Sequence, residues 1–116
     1  MLKKNQKTKR AEFAPIVSRG LAFHATHLTL RTRLVKEKFL DTPTFSFVVS
    51  RKIARTATKR NLLKRRGYAI LNKQIKNIKQ GYKSVFFFKK DSLTISFREL
   101  EQEILFLLKK SRLLNV

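Results

Sequence analysis

Apolar and polar positions divide the chain into segments of two periods. In Glu12–Arg19, Phe13, Ile16 and Val17 fall at i, i+3 and i+4, which predicts a short helix stopped by Gly20. "HLTLRTRL" alternates instead. Leu28, Leu30 and Leu34 share one face, and Thr29, Arg31 and Arg33 share the other, as in a half-buried strand with cations on its open face. "TFSFVVS", Thr44–Ser50, reads as a more buried strand after a turn at Leu40–Pro43, and Leu21–Ala25 as a short extra one. A long helix starts near Thr56 or Thr58, either of which can cap it, and runs to about Gln80, where Gly81 closes it. "KSVFFFKK" predicts a strand over Lys83–Lys90. "SFRE" has capping-box spacing ahead of an apolar helical run to Leu108. The order α-β-β-(β)-α-β-α, with its strand–helix–strand unit, predicts an α+β fold, a split α/β sandwich. No internal repeat or low-complexity block interrupts it.

With 116 residues, 42% of them hydrophobic, the chain suffices for one domain with one core, expected over residues 11–116. Ten phenylalanines supply most of its bulk. The basic segment 1–10 has no apolar run behind it, so it reads as a solvated tail and not as a secretory signal.

Charge changes the picture. Lys and Arg number 28 against 7 Asp and Glu, a net +21, which opposes compaction unless an anionic partner offsets it. The longest apolar runs, "VFFF" and "ILFLL", are far too short to cross a membrane, so nucleic acid is favoured. Counting along the sequence, Thr42–Lys90 holds 14 cations and no acid. At its centre, Lys59, Arg60, Lys64, Arg65 and Arg66 crowd into eight residues around Asn61. At about 100° per residue, Arg60, Asn61, Lys64, Arg65 and Tyr68 share a face about 140° wide. Leu62, Leu63, Ala69 and Ile70 oppose it, and Arg66 lies in their arc with a stem that can snorkel. Beyond Gly67, a residue that allows a kink, Leu71, Ile75 and Ile78 project on the side of Arg60 and Lys64, so only the first two turns read as a binding surface. Arginine forks onto phosphate, lysine acts as a point charge, and asparagine can read a base edge or sugar hydroxyl. The combination suits a folded RNA backbone.

Ser50-Arg51-Lys52 followed by Ala57-x-x-Arg60-Asn61-x-x-Lys64-Arg65 resembles the signature of the protein subunit of bacterial ribonuclease P. The resemblance extends to Phe13, Val17 and Gly20, to the strands around the motif, and to the final "F-x-E-L" helix, about 100 residues in all. It implies an α/β sandwich, as also found in the second domain of a small-subunit ribosomal protein. It further implies a left-handed βαβ crossover where ordinary rules give a right-handed one. The activity it implies is removal of the 5′ leader from precursor tRNA by a cytoplasmic ribonucleoprotein whose RNA subunit holds the catalytic Mg2+ ions. The protein would join as a monomer, with neither DNA nor membrane as partner. Arg51, Lys52, Lys59, Arg60, Asn61, Lys64 and Arg65, with Tyr68 beside them, would contact the catalytic RNA. Phe13, Val17, Arg31 and Arg33 would line a cleft for the single-stranded leader. The chain departs from the family pattern at Tyr68, where Arg is usual, and at Gly67. It departs again at Val17, where an aromatic is common, and at Arg31, where Tyr often stands.

No set of residues suggests protein-only catalysis. Asp91, Glu99, Glu101 and Glu103 read as a cap and solvated face of the last helix, and Glu12, Glu37 and Asp41 are scattered. His24 and His27 lack a third metal-ligand candidate, and no cysteine is present. The alternative is a small ribosomal or rRNA-binding protein with no part in cleavage. A helix-turn-helix DNA binder is disfavoured because strands flank the basic helix.

Overall fold

The computed structural model describes residues 13–34 and 43–114. The basic tail 1–10 and most of the Leu40–Pro43 turn lie outside them. Of Phe13 only the backbone is described. Helix α1 spans Phe13–Arg19 and strand β1 Leu21–His24, so the extra short strand is present. Strands β2 (Leu28–Leu34) and β3 (Thr44–Val48) follow, then α2 (Ala57–Gln74), β4 (Tyr82–Phe88) and α3 (Phe97–Lys110). The four strands form one sheet in the order β1-β2-β4-β3. Only β3 and β4 pair in parallel, with α2 as the crossover between them.

Register assigns the two faces of the sheet. Leu30 pairs with Phe86, Leu28 with Phe88, and Phe47 with Phe86, so these side chains point to the same side. They are buried on the face covered by α2 and α3. Aromatic rings form a spine there. Phe47 stacks on Phe86 at 5.0 Å between centroids, and Phe45 stacks on Phe86 at 5.9 Å. Thr32 belongs to this face too, and its hydroxyl hydrogen-bonds Ser84 at 2.7 Å. Leu34, expected beside Leu28 and Leu30, is instead 51% exposed. β1 pairs no further than Thr32, so among the described residues the last rung of β2 has no strand neighbour on that side.

α2 starts where a threonine cap is expected. The Thr56 hydroxyl accepts from the Lys59 amide at 3.3 Å. The helix ends six residues sooner than expected, at Gln74, and a 3-10 turn over Ile75–Asn77 succeeds it. Gly81 does not close the helix. Its φ of 89° lies in the turn that enters β4. Gly67 lies inside this continuous helix and is buried against the sheet: a Cβ there would lie 2.6 Å from the Phe47 ring. Glycine is therefore what lets α2 approach the aromatic spine closely. At α3 the expected cap is in place: the Ser96 hydroxyl accepts from the Glu99 amide at 3.1 Å and donates to the Glu99 carboxylate at 2.9 Å.

Candidate nucleic-acid interface

The basic segment folds into two parts, a turn and the first half of α2. In the turn, the Ile53 and Ala54 amides both donate to the Ser50 carbonyl at 3.1 Å. Ala54 is buried and Ile53 packs on the core, which leaves Arg51, Lys52 and Arg55 in solvent. On α2, Lys59, Asn61 and Arg65 are exposed, whereas Arg60 and Lys64 are half-buried. One guanidinium nitrogen of Arg60, Nη1, donates to the Ala54 carbonyl at 2.9 Å and to the Arg55 carbonyl at 3.0 Å.

The exposed face is therefore rotated from the expected one. The buried residues of α2 are Leu63, Gly67, Tyr68, Ile70 and Leu71. At about 100° per residue they centre on the direction of Arg60, not opposite it. Leu62, expected inside, is 43% exposed. Tyr68 is a correction to the expected RNA-binding set. It is 9% exposed, its ring meets Phe47 edge-on at 5.0 Å, and its hydroxyl accepts from the Phe47 amide at 3.4 Å. A ring held in the core cannot stack on a base.

Electrostatically the surface is one-sided. No acid stands in the first turn of α2, so cations sit at the positive end of the helix dipole, where they are disfavoured. Among the described residues, the two ion pairs are His27–Glu103 and Lys73–Glu101, neither within the turn or the first half of α2. A polyanion would relieve both the mutual repulsion and the dipole penalty.

The opposite face of the sheet carries the second predicted site. α1 packs over β2 and β4, with Ile16 and Val85 buried on this side. Val17, His24, Thr29, Arg31 and Phe87 line a cavity of ≈ 330 Å³. Arg31 reaches across it, its Nη1 donating to the Val17 carbonyl at 3.2 Å. Val17 and Arg31 are thus brought together as expected, and half-buried Arg33 follows two residues along the same face. Sequence reasoning missed Phe87, Thr29 and His24. The signal for Phe87 was period two within "VFFF": Phe86 and Phe88 point to the core, so Phe87 must point to the cleft.

A basic helix with an exposed Arg-Asn surface on one side of the molecule, and a cationic cleft bearing an aromatic on the other face of the sheet, are now in place. The ribonuclease P family model matches residues 1–112. The chain belongs to the ribonuclease P protein family. It is 24% identical over 109 residues to the ribonuclease P protein component of Microcystis aeruginosa, an alignment covering 91% of this chain and 89% of that one. The match to the component from a Synechococcus strain is 40% identical over 67 residues, 58% of this chain and half the length of that relative. Among solved structures, the Staphylococcus aureus ribonuclease P protein superposes with a TM-score of 0.83 at 18% identity, covering 97% of this chain and all of that one. The Thermotoga maritima protein gives 0.79 at 25% identity, covering 90% and 96%. These similarities establish the α+β fold of the ribonuclease P proteins for this chain.

Outside these two surfaces, an open cavity of ≈ 860 Å³ lies between the β1–β2 turn and α3, lined among others by His24, His27, Glu99, Glu103 and Phe106. Glu103, expected on a solvated face, is instead half-buried here. It accepts from the His27 amide at 2.7 Å and sits 2.5 Å from His27 Nδ1, tying the turn to α3. His24 turns away to Thr29 Oγ1, 3.2 Å distant. Among the described residues no group of three or more His, Cys, Asp or Glu is placed to hold a metal ion, and no helix is long and apolar enough to cross a membrane.

Proposed function

We propose that the chain serves in the cytoplasm as the protein component of ribonuclease P, joining the catalytic RNA as a monomer and helping remove the 5′ leader of precursor tRNA. The observation that carries this reading is the surface of the Ser50–Arg55 turn and α2. It exposes Arg51, Lys52, Lys59, Asn61 and Arg65 with no described acid paired to them, in a chain matched to the family over residues 1–112. That surface would take the catalytic RNA: arginine forks on phosphates, lysines as point charges, and Asn61 on a sugar or base edge. DNA and membrane are not partners in this reading.

The cleft beneath α1 would take the single-stranded leader. Phe87 offers a face for a base to stack on, while Arg31 and Arg33 offer positive charge along the same side. Magnesium ions, which activate water and stabilise the leaving oxygen in such a cleavage, would be held by the RNA. Among the described residues the carboxylates do not gather into such a centre: Glu99 caps α3, Glu101 faces Lys73 and Glu103 holds His27. The protein's own contribution is to bind and orient.

Reconstitution tests the reading. The full chain mixed with bacterial ribonuclease P RNA at low magnesium should raise the rate of leader removal from precursor tRNA above that of RNA alone. No gain refutes the assignment and favours a protein that merely binds structured RNA.

A further inference from the structure

Arg60 stands in the middle of the family signature, yet one nitrogen of its guanidinium turns back onto the preceding turn. Nη1 is occupied by two backbone carbonyls, at 2.9 Å and 3.0 Å, belonging to Ala54 and Arg55. Both residues precede the Thr56 cap, and Ala54 is 1% exposed. The turn they end is closed on its other side by the Ile53 and Ala54 amides on the Ser50 carbonyl. That turn carries Arg51 and Lys52, both in solvent. The cations Arg51, Lys52 and Arg55 and the helix dipole repel one another here, and among the described residues no ion pair offsets that repulsion. Beyond the packing of Ile53 and Ala54, a polar tie between turn and helix is therefore needed. The Arg60 fork supplies it.

We infer that Arg60 is a positioning residue for RNA binding: it pins the Ser50–Arg55 turn to α2, so that Arg51 and Lys52 meet the RNA on one surface with Asn61 and Arg65. The inference rests on the RNA-binding reading above and goes beyond it by assigning Arg60 an indirect role. A planar fork suits it, since one rigid group bridges two carbonyls that a single lysine charge on a flexible stem would hold less firmly.

A double-mutant cycle on the full chain, read as affinity for bacterial ribonuclease P RNA over a salt series, tests this. R60A should weaken binding about tenfold in the wild-type background, the scale expected for loss of an interface arginine. In the R51A/K52A background it should cost less than about twofold, because the residues it positions are already gone. The salt slope of R60A should fall by about two, as for R51A/K52A itself, where a single phosphate contact accounts for about one. R65A should add in full in both backgrounds. A general loss of stability would couple Arg60 to Arg65 as much as to Arg51 and Lys52, so the selectivity of coupling excludes a merely structural role. A tenfold loss from R60A in both backgrounds, with a slope change of one, overturns the inference and makes Arg60 a direct phosphate contact. If R51A/K52A and R65A both bind as wild type, the RNA-binding reading of this surface fails, and the inference with it. Should circular dichroism show R60A unfolded, R60Q, which keeps one donor without charge, takes its place in the same cycle.

Discussion

Gly67 sits where the sequence allows a kink and where the structure has a close contact. In an exposed helix, Gly67→Ala would stabilise by about 1 kcal/mol through propensity alone. Here the new Cβ would lie 2.6 Å from Cε1 and Cζ of Phe47. That ring has little room to yield. It is 2% exposed, stacked on Phe86 at 5.0 Å, and touched by Tyr68 at 5.0 Å and Phe88 at 5.8 Å. Overpacking a well-filled core costs about 1–3 kcal/mol, and a contact this short belongs at the upper end. Set against the propensity gain, the net loss is about 1–2 kcal/mol, a fall in Tm of roughly 4–8 °C for a chain of this size. Thermal unfolding followed by circular dichroism measures it, at one fixed buffer because anion binding would shift Tm by linkage. The Phe47→Leu background supplies the control: with the ring removed, G67A should cost less than about 0.5 kcal/mol, a non-additivity expected of residues in contact. A rise in Tm for G67A in the wild-type background would refute the close contact and return Gly67 to an ordinary helix position.

Phe87→Ala should reduce the affinity of the reconstituted enzyme for precursor tRNA about tenfold or more, since stacking on an aromatic contributes roughly 1–3 kcal/mol per base. Affinity for mature tRNA, which lacks the leader, should hold; an equal loss for both would remove Phe87 from the leader cleft. Tyr68→Arg, the residue that the resemblance implies for this position, should destabilise the fold by about 3 kcal/mol or more, because it places an unpaired charge in the core. RNA affinity should not rise. A Y68R protein as stable as wild type and binding RNA more tightly would show that residue 68 faces the solvent.

Much of the fold was legible because its determinants are local. Alternation in "HLTLRTRL" placed Arg31 and Arg33 opposite the leucines, and the register bears this out. Ser96 and Glu99 announced the α3 start three residues apart, and Thr56 the start of α2. The acid-free run Thr42–Lys90, with Arg60, Asn61, Lys64 and Arg65 inside it, pointed to RNA and to the family without any structure. Each of these signals lies within a turn or two of chain.

What the tertiary structure alone decided is orientation. α2 carries leucines on both sides, Leu62 exposed and Leu63 buried, so periodicity left its rotation about the axis open. The docking of Gly67 on Phe47, twenty residues away in sequence, set that rotation. It drew Tyr68 inward, half-buried Arg60 and Lys64, and gave Asn61 and Arg65 to the solvent. Phe87 joined Arg31 and Val17 only through strand pairing, and Glu103 met His27 only when α3 packed beside the β1–β2 turn. A sequence specifies which residues share a helix face or strand side, because those relations repeat over a few residues. Which face meets which is settled by packing between distant segments, where ring shape and the missing Cβ of one glycine outweigh local preference.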